Sequence, residues 1–460
     1  MAIIAQAYMF SWEQIDAASD LGRLRLVLEV IPDEALVAKL ETDRGHGRDD
    51  YPVRAVWNTI LAGVVFGHPS IAALRRELQR NGELRKVCGF NPLSGMAAVP
   101  TDSAYTHFLD ALLEHETQIR AMFHDLVEKL RVVLADLGRY LALDGKALPS
   151  FAHARKTDDA TARTRKDGQP DRRADSDADW GVKTKRGVKE DGTAWEKVTR
   201  WFGFELHLLV DSHHELPLNY QVTKASAAES TRLPVIVQDT QERHPEVIEA
   251  ASELSADKGY DSTDNIVILH QEYGILPIID KRADFQAGDA TRPVFEDRFD
   301  TVVYDVKGTV SCVCPQTGEL RKMANWGFEA ARESLKYRCP AVASGFECKG
   351  RQDCPGAQGA YGKVVRIPLS KDPRIFTPVA RDSDAWKKAY ARRTAVERVN
   401  SRIDRVLGFE QHTIRGLKKM EARVGIALVV LLAMALGRIR RGQRDQLRSI
   451  VAPPPLARAA

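Results

Sequence analysis

The sequence has little of what secreted and membrane proteins require. Its 460 residues include six cysteines, five of them clustered, which excludes the disulfide-rich secreted class. The first ten residues have no basic start and no long apolar core, so no secretory signal is expected. The one long apolar run, residues 424–437, is short for a membrane span and predicts a buried helix instead. We therefore expect a cytoplasmic protein that does not associate with membranes.

Length and charge indicate a multidomain protein with a basic region. With 44% hydrophobic residues, a chain of 460 residues can bury a large core and should form two or three domains. The net charge is only +4, yet residues 381–450 contain 17 Lys and Arg against 7 Asp and Glu, an excess of +10 that leaves −6 elsewhere. Such a segment favours contact with phosphate groups, although for any single arginine an ordinary solvated surface is the favoured interpretation.

Three acidic residues stand where a metal site could form. Asp144 and Asp257 each end a short apolar run and have a glycine soon after, as expected where a buried strand ends at a crevice. Glu397 lies on a predicted helix and shares one face with Tyr390 and Arg393. Crevices at strand ends are where open α/β sheets bind ligands. Three carboxylates gathered there would suit Mg²⁺ or Mn²⁺, and two such ions can activate the attacking oxygen and stabilise the leaving oxygen of a phosphodiester.

These residues resemble the motifs of the DDE transposases of bacterial insertion sequences, in the group with a Tyr-x2-Arg-x3-Glu signature. Tyr390, Arg393 and Glu397 match that spacing. The Leu-Asp-Gly-Lys segment around Asp144 and the Ala-Asp-Lys-Gly-Tyr segment around Asp257 are similar to the first and second aspartate motifs of the family. Three ordered motifs together are more specific than any one of them.

The resemblance covers about residues 51–437 and implies a fold, a reaction and partners. It implies an RNase H-like core in which Asp144, Asp257 and Glu397 are catalytic ligands of Mg²⁺ or Mn²⁺. The enzyme would be a DNA transposase that cleaves double-stranded DNA at the terminal inverted repeats of its transposon and transfers the ends into target DNA. It would act as a homodimer on DNA. The side chains expected to contact nucleic acid are Tyr390, Arg393, Arg405, Lys146 and Lys258.

The chain departs from the family signature at one position. That signature usually ends with a lysine seven residues after the glutamate, where this sequence has Asp404. Either Arg405 supplies the DNA-contacting cation from an adjacent angle, or this copy of the enzyme is impaired.

The predicted fold class is α/β, with an RNase H-like mixed sheet flanked by helices, an all-helical N-terminal domain and a cysteine-containing insertion. Apolar residues at spacings of three and four predict the N-terminal domain over residues 1–137, either a DNA-binding domain or a scaffold. The catalytic domain begins with residues 138–281, within which residues 156–200 have little periodicity and are predicted to be a mobile excursion. It resumes with helices over residues 383–450, and residues 451–460 are predicted to be a disordered tail.

Residues 282–382 are predicted to be the insertion, because the interval between the second and third acids is far longer than one crossover requires. Clustered cysteines followed by prolines are typical of thiolate metal ligands in a cytosolic protein. Four of the five could hold a tetrahedral structural Zn²⁺, and a reduced insertion without metal is the alternative. The favoured ligands are Cys314, Cys339, Cys348 and Cys354, with Cys312 left over.

Two other functions remain open on the sequence alone. The first is an RNase H-like metal nuclease that cuts DNA without strand transfer. The second is a zinc-containing DNA-binding protein whose catalytic acids are relics, which the cysteine cluster and Asp404 suggest.

Overall fold

The computed structural model describes residues 20–448 apart from eight stretches. These stretches are 46–49, 153–173, 189–190, 192, 283–289, 296–301, 355 and 358. The predicted tail at residues 451–460 and residues 156–173 of the predicted excursion lie outside the described residues.

The described chain begins with seven α-helices. They are α1 (Asp20–Val30), α2 (Glu34–Arg44), α3 (Val53–Val65), α4 (Ile71–Arg80), α5 (Gly82–Cys88), α6 (Asp102–Leu113) and α7 (Glu116–Val133). The hydroxyls of Ser70 and Thr101 accept hydrogen bonds of 3.2 and 3.1 Å from the backbone N–H three residues on, which caps α4 and α6 at their N-termini. The region before the first strand is therefore helical, as the apolar spacing predicts.

Six strands form the main sheet within the described residues. They are β1 (Tyr140–Pro149), β2 (Asp179–Val188), β3 (Ala194–Asp211), β4 (Leu216–Lys224), β5 (Glu253–Ala256) and β6 (Leu276–Ile279). Strand β3 lies between β1 and β4 and is antiparallel to both, whereas β5 and then β6 continue in parallel on the other side of β1. The order β4, β3, β1, β5, β6 is a mixed α/β arrangement compatible with an RNase H-like fold.

The register of the parallel strands sets two predicted site residues side by side. Leu143 of β1 pairs with Ala256, the last residue of β5. The next residues along the two strands are Asp144 and Asp257. Both therefore lie level with the carboxyl end of β5, which is where open α/β proteins bind ligands. This end of the parallel strands is called the sheet edge below.

Strand β2 and the first half of β3 form a long hairpin arm. Residues 179–188 and 194–200 were predicted to belong to the mobile excursion at 156–200, but they are paired β-strands. Consecutive residues 194–200 are all exposed, and so are the indoles of Trp180 and Trp195. The sequence could not predict these strands because an arm exposed on both faces has no alternation of apolar and polar residues.

Short helices and turns connect the last strands of the sheet. They are the 3₁₀ turn Glu229–Thr231, α8 (Arg232–Arg243), α9 (Pro245–Ala250), the 3₁₀ turn Lys258–Tyr260, α10 (Thr263–Val267) and the π-helical turn Ile268–Glu272. The first of these turns follows β4, and the turn at Lys258–Tyr260 directly follows Asp257.

The predicted insertion is a β-rich unit. Its described elements are β7 (Arg292–Pro293), β8 (Val302–Tyr304), β9 (Val310–Val313), β10 (Leu320–Lys322), β11 (Ala324–Glu329), β12 (Ser334–Arg338), α11 (Pro340–Ser344) and β13 (Val364–Pro368). The strands form two sheets, in the orders β10, β9, β8, β7 and β11, β12, β13. Tyr304 and Phe376, whose ring centroids lie 5.0 Å apart, belong to a hydrophobic core distinct from that of the main sheet.

Three α-helices complete the described chain. They are α12 (Asp384–Ala391), α13 (Thr394–Arg405) and α14 (Leu417–Arg440). Helix α13 packs against β1 and β3, and α14 packs against α1, α3, α7 and β4. By length and composition α14 could cross a membrane, with a mean hydropathy of 2.0, but 89% of its most apolar stretch is buried inside the protein. The buried helix predicted at residues 424–437 is the centre of α14, in one hydrophobic core shared by the N-terminal helices and the main sheet.

Candidate active site

Asp144 and Asp257 lie near each other, and Glu397 faces Asp144 across an arginine. Asp257 directly follows β5 as predicted, but Asp144 does not end its strand, because β1 stays paired with β3 as far as Pro149. Asp144 has 16% of its side chain exposed, whereas Glu397, in the first turn of α13, has 50% exposed. Nη2 of Arg393 lies 2.6 Å from Glu397 Oε1, and its Nη1 lies 3.9 Å from Asp144 Oδ1. Asp257 is close enough to Asp144 to affect its pKa. The structure thus places the three acids predicted from the sequence at one edge of the sheet.

The electrostatics of this edge favour a bound cation. Burial is the main reason that the pKa of Asp144 is raised to about 7, and the neighbouring Asp257 carboxylate adds to the shift. The cations of Arg393 and Lys183 oppose this shift without cancelling it. A divalent ion between the carboxylates would favour their charged forms. Perturbed acids of this kind, gathered in a crevice, are typical of functional sites.

An open cavity of about 320 Å³ lies in front of Asp144 and Glu397. Two of the predicted DNA contacts, Lys146 and Arg405, line it as well, and Lys258 is exposed on the turn after β5. The residues around the cavity are Asp144, Gly145, Lys146, Glu397, Asn400, Ser401, Asp404, Arg405 and Glu410. The cavity is therefore open to solvent and is lined by both acids and cations.

The predicted helix that carries Tyr390, Arg393 and Glu397 is interrupted. Helix α12 ends at Ala391 and α13 begins at Thr394, so one continuous helix was a wrong prediction. The backbone forms a tighter, 3₁₀-type turn there, because the N–H of Arg393 donates a hydrogen bond of 3.0 Å to the carbonyl of Tyr390, three residues back. The ring of Tyr390 stacks on an indole of the same helix, with centroids 4.9 Å apart and planes at 11°, while the Arg393 guanidinium lies 5.6 Å from the Tyr390 centroid. Arg393 is thus paired with Glu397 and lies close to Asp144 and Tyr390.

Comparison with known proteins supports the same assignment. Residues 157–433 match the family described as Transposase DDE domain. The chain belongs to the family of DDE transposases. The predicted family is thus confirmed, and a transposase of this family acts on DNA and uses divalent metal ions. The matched segment includes Asp257 and Glu397 and begins after Asp144. No curated protein and no solved structure matches the chain significantly.

Asp404, which stands where the signature expects a lysine, is paired in this transposase with a lysine from another element. Lys146 of β1 donates a hydrogen bond of 2.5 Å to Asp404 Oδ2, and the two side chains are only 13% and 23% exposed. A lysine therefore lies at this position in space, but the Asp404 carboxylate offsets its charge. Any contact between Lys146 and a DNA phosphate would compete with Asp404.

We expect Lys146 and Asp404 to be energetically coupled. In a double-mutant cycle with Lys146→Met and Asp404→Asn, the coupling free energy of unfolding should be about 1–2 kcal/mol, between the values for exposed and for buried ion pairs. Chemical denaturation of the four proteins measures it. The matched control is the exposed pair Lys418 and Glu114, at 2.9 Å, for which we expect coupling near zero. Equal coupling in the two cycles would show that the Lys146 pair is only a surface contact.

Three charged residues of the site were not found from the sequence. Lys183 of the hairpin arm lies 2.9 Å from Glu205 Oε1 and 2.8 Å from Glu229 Oε1, and it donates a hydrogen bond of 2.8 Å to the carbonyl of Gly145. Burial raises the pKa of Glu205 to about 7, although Lys183 opposes the shift. Lys183 was hidden in the predicted excursion, and Glu229 lies in a connecting turn. No local spacing relates either residue to the aspartates.

The clustered cysteines of the transposase surround one small cavity in the insertion. The cavity, of about 30 Å³, is lined by all five thiols of the insertion, namely Cys312, Cys314, Cys339, Cys348 and Cys354. Burial raises the pKa of Cys312 to about 11, and Cys339, Cys354 and Cys348 add to the shift. Hydrogen bonds from Thr317 and nearby backbone N–H groups lower the pKa of Cys314 to about 7, as suits a thiolate. The favoured ligands are thus gathered, with Cys312 as an additional neighbour.

A separate group of possible metal ligands lies at the opposite end of the sheet. Among the described residues, Asp136, His213 and His214 place ligand atoms within 4.8 Å of one another. His214 Nε2 lies 3.0 Å from Asp136 Oδ1. The histidines lie in the turn between β3 and β4, beside the start of β1, whereas Asp144 and Asp257 lie further along the parallel strands. This group does not include any of the three predicted catalytic acids.

Proposed function

We propose that this transposase cleaves DNA at the ends of its transposon and joins them to target DNA by two-metal-ion phosphoryl transfer. Asp144, Asp257 and Glu397 would hold Mg²⁺ or Mn²⁺. The observation that carries the proposal is the placement of Asp144 and Asp257 at one sheet edge, with Arg393 linking Asp144 to Glu397.

The residues of this edge fit divalent cations of the hard, oxygen-preferring kind. All three side chains are carboxylates, which are the ligands that Mg²⁺ and Mn²⁺ prefer. Burial, and then the neighbouring Asp257 carboxylate, raise the pKa of Asp144, and a bound divalent cation would offset both effects. When bound, the ions would activate the attacking oxygen and stabilise the leaving oxygen of a phosphodiester.

The side chains around the acids have distinct roles in this proposal. Arg393 holds Glu397 in place through their 2.6 Å ion pair, and stacked Tyr390 limits how far Arg393 can move. Arg405 and Lys258, which are both exposed, would contact the DNA backbone as cations do. Water would first attack at the transposon end, and the freed 3′-hydroxyl would then attack target DNA without a covalent protein intermediate. The reaction pairs two ends, so we propose a homodimer on DNA with the terminal inverted repeats as its specific partners.

We also propose that the insertion binds one structural Zn²⁺. Four of the five thiols that line its cavity would bind the ion, since tetrahedral thiolate sites are typical of Zn²⁺. Cys339, Cys348 and Cys354 belong to every arrangement that we consider. Cys314 is the favoured fourth ligand, because hydrogen bonds stabilise its thiolate.

An assay with natural DNA ends tests the proposed reaction. The purified full-length protein is incubated with the DNA that flanks its own gene, a target plasmid and Mg²⁺, and every cut and joined strand is mapped. We expect cuts at the terminal repeats and joining of those 3′ ends to the plasmid. Cuts without joining would indicate a nuclease, and end binding without cleavage in Mg²⁺ or Mn²⁺ would indicate a DNA-binding protein with relic acids.

A further inference from the structure

Glu229 is held beside the second aspartate, Asp257, by the packing of two turns against each other. It begins the 3₁₀ turn after β4, and this turn packs against the turn Lys258–Tyr260 that follows Asp257. The buried amide of Asn265 donates hydrogen bonds of 2.9 Å to the carbonyl of Ser230 and 2.7 Å to the carbonyl of Tyr260. The two turns are therefore tied together, and the position of Glu229 relative to Asp257 is fixed.

The glycines that follow the two aspartates leave room for the Glu229 carboxylate. A Cβ atom added to Gly259 would lie 1.5 Å from Glu229 Oε2 and 2.8 Å from Asp257 Oδ1, so both oxygens crowd the same point. A Cβ added to Gly145 would lie 2.6 Å from Glu229 Oε1. A side chain at either glycine would collide with Glu229. The Glu229 carboxylate thus lies between Gly145 of β1, next to Asp144, and the turn that follows Asp257.

The positive charge near Glu229 is shared. Lys183 lies 2.8 Å from Glu229 Oε1, but it also pairs with Glu205 at 2.9 Å. One ammonium thus serves two carboxylates, next to two further aspartates. The oxygen on the Lys183 side is Oε1, and the oxygen on the Asp257 side is Oε2.

We propose that Glu229 is a fourth acidic ligand of the divalent metal centre, in addition to Asp144, Asp257 and Glu397. Glu229 contributes Oε2 beside Asp257, while Lys183 holds Oε1 and keeps the side chain in place. The proposal rests on the proposed function, since it concerns the same Mg²⁺ or Mn²⁺ site.

Mn²⁺ binding to the full-length protein without DNA, measured by calorimetry and by electron paramagnetic resonance, tests this role. Glu229→Gln should weaken Mn²⁺ affinity by at least about 10–100-fold, because that is the loss already caused by removing a residue that only supports a ligand. Glu253→Gln is the matched control, because it also removes a carboxylate paired with a cation, Arg392, but lies at the start of β5, at the other end of that strand from Asp257. Its Mn²⁺ affinity should stay close to that of the wild type.

The outcomes separate this inference from the proposed function. Wild-type affinity in Glu229→Gln, together with lost affinity in Asp257→Asn, would overturn the role of Glu229 and leave the metal site intact. Wild-type affinity in Asp257→Asn would instead overturn the metal site itself. If Glu229→Gln does not fold, Glu229→Asp keeps the charge opposite Lys183 and withdraws the carboxylate by one methylene. Its Mn²⁺ affinity should also fall, and an unchanged value would overturn the inference.

Discussion

Glu397→Gln should abolish Mg²⁺-dependent cleavage at the transposon ends while leaving DNA binding almost unchanged. The substitution keeps the shape of the side chain and removes one of the three charges gathered at the sheet edge. Stabilisation of developing charge by a bound metal is worth several kcal/mol, so the cleavage rate should fall by about 10³-fold or more. Cleavage is measured on end-labelled DNA, and binding by fluorescence anisotropy with the same DNA.

The control for Glu397 is an acid of the same cavity. Glu410→Gln removes an exposed carboxylate that lines the cavity from the short helical turn after α13, and it should cleave at nearly the wild-type rate. Cleavage that persists in purified Glu397→Gln would remove Glu397 from the chemistry. Equal losses in both variants would show that the general negative charge of the cavity matters, and not this particular residue.

Loss of zinc should unfold the insertion and leave the main sheet folded. A structural zinc site supplies about 10–16 kcal/mol in small zinc domains, which is comparable to the whole stability of a domain. Cys339→Ser should therefore lower the zinc content from one ion per chain to none and expose residues 302–382 to proteases. Elemental analysis and limited proteolysis measure the two effects. The main sheet should stay folded because its hydrophobic core is separate from that of the insertion.

Two further substitutions sharpen the zinc experiment. Cys88→Ala changes a thiol buried in the main core, away from the cluster, and should keep full zinc content. Cys314→Ser should lose zinc, whereas Cys312→Ser should retain it. The opposite result would exchange these two residues in the ligand set, and wild-type protein purified without zinc would contradict the site altogether.

The parts of the site that the sequence predicted are those with a local pattern. Asp144 and Asp257 follow short apolar runs, which indicate buried strands within a few residues, although only β5 ends there and β1 continues to Pro149. Glu397 could be placed because helical periodicity relates it to Arg393, despite the short break between α12 and α13. The buried centre of α14 was likewise evident from its uninterrupted apolar run.

The remaining contacts depend on tertiary structure. Lys146 and Asp404 are 258 positions apart, and no pattern in either segment indicates their pairing. Lys183 lies on an exposed hairpin whose composition is that of an irregular loop. Glu229 approaches Asp257 only because two turns from different parts of the chain pack together. These residues do not belong to any periodic sequence pattern, so their contacts are evident only in the folded structure.

The location of α14 limits how the enzyme can be divided for experiments. Its apolar side chains are covered on one side by N-terminal helices and on another by β4. A fragment that starts at β1 would expose a long apolar surface of α14 to water and should aggregate. Soluble fragments should therefore keep the first seven helices, and deletions are better tolerated in the β-rich insertion, which is stabilised by contacts of its own.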